Sequence, residues 1–493
     1  MAERSILIIG AGIGGLSTGC YAQLNGYRAT ILEMHTRPGG LCTAWTRSGY
    51  VFDGSIHNLA GTTPQSAFHE IWRELGVVPT LPMHAFQELV RVERADGEPL
   101  TLYTNLDRLE RHLLQLAPAD AAVIAELVTR ARAFSRFDLL GLAVASPLQR
   151  LRALGMMPLL LKYGRITLAQ FAERFSDPFL RRAFPSLIYD WPQMPMSLLL
   201  SFLGRTHVGD LGWPAGGSDA FAQAIERRFR SLGGTNRYQS RVQSIIVDGD
   251  TAVGVRLADG TELHADIVVS NANGRATIFD MLGGNYTSAA IRRYYDAPED
   301  RIEMGIHVSL GVARDMSAEP HAIVLPLEAP VTIAGEVRQR LYVEPFSFDA
   351  SMAPPGKTAL KVVLATSFAW WRDLQDSPER YQQEKHRIAQ QVIELLDRRY
   401  PGLRQQVEVI DVATPLTTLH ITGNGHGYHA PVTAMVRALF TGRKLSQTLP
   451  GLRHFYMVGQ WAGNSSIPMV AAMGRDVVRA ICRVDRRPFS TKA

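Results

Sequence analysis

Ser5–Ile9 is an unbroken apolar run, the pattern of a strand buried on both faces. Gly10-Ala11-Gly12-Ile13-Gly14-Gly15 breaks it, and an apolar helical stretch then runs through Gly19 to Gly26. Ala29–Leu32 is a second strand-like run, ending at Glu33, and Pro38-Gly39-Gly40-Leu41 makes a second small-residue turn. Tyr50–His57 reads as a short strand with a bend at Asp53-Gly54-Ser55. From Phe86 the pattern changes. Glu88–Glu93 and Leu100–Thr104 alternate around Asp96-Gly97, a hairpin signal. Helical spacing then dominates from Leu106 to about Phe175. Trp213-Pro214-Ala215-Gly216-Gly217-Ser218 interrupts, with Ser218 or Asp219 placed to cap a helix to about Leu232. Val242–Val247, Ala252–Leu257 and Glu262–His264 form a β-meander, followed by the apolar run Asp266–Ser270 and Asn271. Arg301–Arg314, Arg340–Phe348 and Thr358–Ser367 predict a further sheet, and Ser377–Tyr400 a helix that Pro401-Gly402 ends. Phe455–Gly459 is the last strand, and a helix follows from Pro468 to about Arg483.

The glycines near the start are where chemistry enters. Gly10, Gly12 and Gly15 fit G-x-G-x-x-G between a strand and a helix, with Gly14 inside the same turn. In that motif the first glycine makes the tight turn, the second lets the backbone approach a pyrophosphate, and the third packs helix on sheet. Glu33 arrives about 20 residues later, where an acid accepts a ribose hydroxyl. A second turn at Gly39-Gly40-Leu41 lets more backbone crowd the same ligand, which favours FAD over NAD. A second G-x-G-x-x-G for NAD(P) is lacking.

Composition narrows the classes. A chain of 493 residues with 46% apolar and 20% charged residues is globular and long enough for two or three domains. The net charge of +6 comes without a dense basic run, so a nucleic-acid partner is not expected. Cys20, Cys42 and Cys482 are scattered, which suits a reduced, cytoplasmic setting. His420, His426 and His429 are too loosely spaced among glycines to predict a metal. No apolar run is long enough to span a bilayer, and the apolar start is accounted for by the nucleotide unit rather than a signal peptide. Between Phe137 and Phe175, leucines and methionines interleave with Arg150, Arg152, Lys162 and Arg165. This pattern fits either an internal helix pair or a surface that rests peripherally on a membrane.

Several stretches together resemble the FAD-dependent phytoene desaturases, carotenoid isomerases and retinol saturases. They are the Gly10–Gly15 turn with Glu33 and Pro38-Gly39-Gly40, Phe52-Asp53-Gly54-Ser55, and Trp213 to Gly217 with the meander to Asn271. Thr414-Pro415-Leu416-Thr417, Thr422-Gly423-Asn424, and Val458-Gly459 to Pro468 complete the set. The resemblance implies an α/β fold: a Rossmann-like FAD-binding domain of the two-dinucleotide-binding-domain flavoprotein type, with an inserted α+β substrate domain. The expected division assigns 1–85, 205–282 and 405–493 to FAD, and 86–204 with 283–404 to substrate, with membrane-contact helices in 137–175. Non-covalent FAD would be held by Gly10, Gly12, Gly14, Gly15, Glu33, Gly39, Gly40, Leu41, Val242, Asn271, Gly459, Gln460, Pro468 and Met469. Two positions depart from the family pattern: Gly459-Gln460 where Gly-Asp is common, and Pro468-Met469 where Pro-Gly is common.

The implied activity is addition or removal of hydrogen at carbon–carbon bonds of a long apolar, carotenoid-like or retinoid-like substrate. The alternatives are a flavin-dependent amine or alcohol oxidase and a non-catalytic lipid-binding protein of the same fold, like the Rab GDP-dissociation inhibitors. Asp53 and His57 are the candidate bases, each with a plainer reading: Asp53 as a holder of the bend, His57 as a hydrogen-bonded buried histidine. Tyr428, His429 and Trp461 are candidates for the substrate side of the flavin.

Overall fold

The computed structural model describes residues 4–139, 141, 151, 154–295, 303–423, 446–462 and 466–492. Its first sheet is wholly parallel, with strands in the order Thr235–Arg237, Arg28–Leu32, Ser5–Ile9, Ile267–Ser270 and Phe455–Met457. Parallel strands need cover on both faces, and successive side chains of Ser5–Ile9 supply it. Ile6 and Ile8 join a core with the helices Ile13–Leu24, Gly217–Ser231 and Ile467–Val484. Leu7 and Ile9 point the other way, into a core with the meander Val242–Asp248, Thr251–Leu257 and Glu262–His264. The continuous apolar run is thus read by two different layers.

The second sheet has seven strands, in the order Val407–Ala413, Glu303–Val312, Thr358–Ser367, Glu336–Pro345, Ile323–Ile333, Glu88–Val92 and Leu100–Tyr103. Neighbours are antiparallel except for Ile323–Ile333 beside Glu88–Val92. The helix Pro378–Arg399 covers one part of it through Ile388, Val392 and Leu396. The helices Leu106–Leu116, Ala121–Ser135 and Met196–His207 build a separate apolar core at the other end.

Two expectations change on folding, those for Val407–Ala413 and for Ser218. Val407–Ala413, grouped above with the nucleotide unit, pairs with Glu303–Val312 instead, because its partner edge lies in the second sheet. Leu211–Pro214 pairs with Leu59–Ala60 and Met83–His84 in a small sheet of its own. Ser218 does not cap the helix Gly217–Ser231. Gly216, at φ 80°, precedes the first turn, and both polar groups of Ser218 bond to Asp53. All three cysteines are free and buried.

Candidate dinucleotide and hydrogen-transfer site

A cavity of about 850 Å³ opens at the C-terminal ends of the parallel strands, within the range of about 300–1,000 Å³ usual for ligand sites. Of the predicted residues, Gly10, Gly12, Gly14, Glu33, Gly39, Gly40, Leu41, Val242, Asn271, Gly459 and Gln460 line it. The two glycine turns meet there. Gly12 and Gly39 form a parallel bridge, and the Gly39 amide donates to the Ala11 carbonyl at 2.9 Å. Asn271 is wedged between the first turn and the last strand. A Cβ on Gly12 would lie 2.7 Å from its Nδ2, and one on Gly14 would lie 2.5 Å from its Oδ1. A side chain at either position would have to push Asn271 aside, and the glycines leave the turn's backbone bare toward the cavity.

Two helices begin at this cavity. Ile13–Leu24 starts after Gly12 and Ile467–Val484 after Ser466, and neither has a side-chain cap. Their first N–H groups and positive dipole ends are available to an anion. The Ser466 hydroxyl is buried and lacks a partner among the described residues. Glu33 ties the site together: its Oε2 accepts from the Ala11 amide at 2.7 Å and its Oε1 from the His35 amide at 2.9 Å. These features fit a dinucleotide whose phosphates need backbone donors and close approach.

Gly15, Pro468 and Met469 do not line the cavity. Gly15 packs the helix on the strand: a Cβ there would lie 2.0 Å from the Gly10 carbonyl oxygen. Met469 turns into the core, and its neighbours Ile467 and Val470 face the cavity. Trp461, a candidate for the substrate side of the flavin, also lines it, as do Arg37, Ser240 and Arg241, which the sequence reading did not name. Arg241 directly precedes Val242, so the meander's first strand was the signal. Tyr428, His426 and His429 lie outside the described residues.

Beyond Ser55, at the edge of the cavity, the chain enters a polar cluster on the second sheet. The Asp53 carboxylate is occupied by donors from the chain itself. It accepts from the amides of Ser55, Ile56 and Ser218 and from the Ser218 hydroxyl, at 2.9, 3.2, 2.6 and 2.8 Å. Burial outweighs the rest and raises this carboxyl above its ordinary value, although the Lys361 charge and the donors pull the other way. All its partners are donors, which is the pattern of an ionised carboxylate acting as a clasp. His57 Nδ1 lies 2.8 Å from Glu344 Oε1, and Lys361 Nζ lies 3.0 Å from Glu344 Oε2. Burial alone would raise the Glu344 carboxyl, yet the charges of His57 and Lys361 hold it well below the carboxylate range. His307 lines a small cavity of about 40 Å³, whose wall shares Gly40, Leu41 and Thr43 with the large one. Burial first, then the Lys361 and His57 charges, lowers His307 to about 3, so its imidazole is neutral near pH 7.

Comparison with known proteins completes the site. Residues 8–75 match the NAD(P)-binding Rossmann-like domain model. The lycopene-forming phytoene desaturase of Paracoccus sp. is 25% identical over 484 residues, 93% of each chain. The chloroplastic prolycopene isomerase of Arabidopsis thaliana is 26% identical, over 86% of this chain and 74% of that one. The neurosporene-forming phytoene desaturase of Rhodobacter capsulatus is 26% identical over 96% of this chain and 93% of that one.

Over most of its length the chain is similar to phytoene desaturases and to a prolycopene isomerase.

It is an oxidoreductase, and the resemblance read from its motifs holds. The fold is shared more widely. An oxidoreductase from Methanosarcina mazei superimposes with a TM-score of 0.61 at 17% identity, over 96% of this chain and 100% of that one. A putrescine oxidase triple mutant superimposes at 0.60 and 15% identity, over 98% and 99%. At the two positions that depart from the phytoene desaturase sequence pattern, Gln460 lines the cavity and Met469 packs into the core.

Proposed function

We propose that this protein is an FAD-dependent oxidoreductase that adds or removes hydrogen at carbon–carbon bonds of a long apolar, carotenoid-like substrate. The observation that carries the FAD reading is the bridge between the two glycine turns, which offers bare backbone along a length that one turn cannot. The desaturase and isomerase names of the relatives supply the reaction and substrate class. FAD, when bound, supplies hydride acceptance or return.

The chain's own residues do the rest. Gly12, Gly14 and Gly39 admit the phosphates, and Glu33 holds the adenosine ribose while fixing both loops. The start of Ile467–Val484 places positive dipole at the far end of the cavity, where reduction adds negative charge. Asp53 locks the bend that carries His57, and His57 takes or returns the proton that accompanies hydride transfer. Division of labour follows the two sheets, with the parallel sheet holding FAD and the seven-stranded sheet meeting the substrate.

An apolar substrate arrives from a membrane. No helix among the described residues is long and apolar enough to cross one. Leu151, Leu154 and Leu161 are nonetheless exposed, at 63%, 57% and 41%. We assign them to peripheral contact with a bilayer surface.

The test is anaerobic mixing of the FAD-loaded protein with phytoene, a retinoid and putrescine, following loss of flavin absorbance. Bleaching by a polyene is expected, and His57→Ala should slow it about 10²–10⁴-fold with FAD still bound. Bleaching by putrescine alone would overturn the reading in favour of an amine oxidase.

A further inference from the structure

Glu344 gathers more partners than a structural ion pair needs. Its Oε1 accepts from His57 Nδ1 at 2.8 Å and from the Tyr189 hydroxyl at 3.0 Å. Its Oε2 faces Lys361 Nζ at 3.0 Å, as an ion pair outside hydrogen-bond direction. Glu344 and Lys361 are cross-strand partners in register, so backbone pairing itself puts the ammonium beside the carboxylate. Both are almost wholly buried, at 6% and 1% exposed. Lys361 also donates to the Asp53 carbonyl at 3.1 Å, which ties the same network to the bend carrying His57.

Tyr189 is held in place at a conformational cost. It and Asp190 lie at φ 49° and 52°, a region that non-glycine residues keep only where their surroundings impose it. That turn lays the Tyr189 ring against His57, with centroids 4.6 Å apart, and against Tyr342 at 4.4 Å. The imidazole is therefore fixed by a hydrogen bond on one edge and a ring on one face.

A carboxylate can only accept, so in the neutral form of the imidazole the remaining proton sits on Nδ1. Nε2 then keeps the lone pair, and none of the described residues hydrogen-bonds to it. Resting on the oxidoreductase reading above, we propose that Glu344 is a positioning residue for proton transfer, which fixes His57 in the tautomer that presents Nε2 as the base. In desaturation a bound flavin would supply the acceptor for the hydride of one C–H bond, and the neighbouring C–H bond breaks. The electron pair of that second bond closes the new double bond, and its proton passes to Nε2. Saturation runs the same transfers backward, with His57 as the acid. Lys361 balances the carboxylate charge, and Tyr189 fixes its rotamer.

The experiment uses the FAD-loaded full chain labelled with ¹⁵N-histidine, as wild type, Glu344→Gln and Glu344→Asp. In Glu344→Gln the Lys361 ammonium takes the amide oxygen, so the NH₂ group faces His57 Nδ1 and forces the proton onto Nε2. The wild type should show the Nδ1–H tautomer, Glu344→Gln the Nε2–H tautomer, and Glu344→Asp the wild-type one. Flavin reduction by phytoene in detergent micelles should fall about 10²–10⁴-fold in Glu344→Gln, with FAD retained and KM little changed, and recover in part in Glu344→Asp. An Nε2–H tautomer in the wild type, the same tautomer in wild type and Glu344→Gln, or equal reduction rates would each overturn the proposal. A wild type that phytoene never bleaches counts against the function proposed above, and the tautomers still decide the role of Glu344.

Discussion

Asp53 and Ser218, 165 residues apart in the chain, are joined twice: the Ser218 amide and hydroxyl both bond to the Asp53 carboxylate, at 2.6 and 2.8 Å. The pair clasps the bend before His57 to the first turn of Gly217–Ser231. Asp53→Asn turns one acceptor oxygen into a donor and sets it against an N–H or O–H. Loss of about 1–3 kcal/mol of stability is expected, read as a lowered midpoint in urea unfolding. The rate of flavin reduction per bound FAD should stay within a few-fold of wild type. A loss of several hundred-fold with normal stability would restore Asp53 as a base.

Glu33→Ala removes the carboxylate proposed for the ribose and also the acceptor of the Ala11 and His35 amides. FAD affinity should weaken by about 1.5–3 kcal/mol, the usual worth of a hydrogen bond to a charged group. Titration of apoprotein with FAD, followed by flavin fluorescence, measures it. Unchanged affinity would remove Glu33 from the ribose site.

For membrane contact the relevant leucines are set by packing. Leu160 is buried, so the run Leu159-Leu160-Leu161 is not a uniform surface. Replacing Leu151, Leu154 and Leu161 with Ser should release the protein from anionic liposomes in a sedimentation assay while FAD stays bound. If the wild type remains in the supernatant, the contact proposal fails.

Glu126 gives a pH test far from the site. The Arg174 and Tyr163 side chains hydrogen-bond to it, Lys162 lies 3.5 Å away, and its carboxyl drops from 4.5 to about 2. An acid depressed in the folded state stabilises that state above its unfolded value, and the benefit fades as pH falls toward the folded one. Wild type should therefore be more stable than Glu126→Gln at pH 6–7. Thermal unfolding should show the difference shrinking from about pH 4.5 and nearly gone by pH 2.

Legibility in the sequence followed the range of each interaction. The glycine turns and Glu33 were readable because strand, turn and helix are contiguous and each glycine has a local steric reason. Met469 was misplaced because one residue along a helix rotates the side chain away from the cavity. Asp53 was read both as a base and as a holder of the bend, and the sequence could not choose because its partner Ser218 is remote. Glu344 and Lys361 went unnoticed although each is a charge beside apolar neighbours, in Leu341-Tyr342-Val343-Glu344 and Leu360-Lys361-Val362. That is the one signal the chain offers, and it becomes chemistry only once the two strands pair in register.

The order of the parallel sheet also governs the molecule's history on the ribosome. Its central strand, Ser5–Ile9, emerges first, but its neighbour Ile267–Ser270 is made only past mid-chain and Phe455–Met457 near the end. Such distant pairings are slow to form, and until the last one closes, Ile267–Ser270 offers a bare apolar edge to other chains. Chaperone occupancy and flavin supply should therefore limit the yield of active protein more than its final stability does.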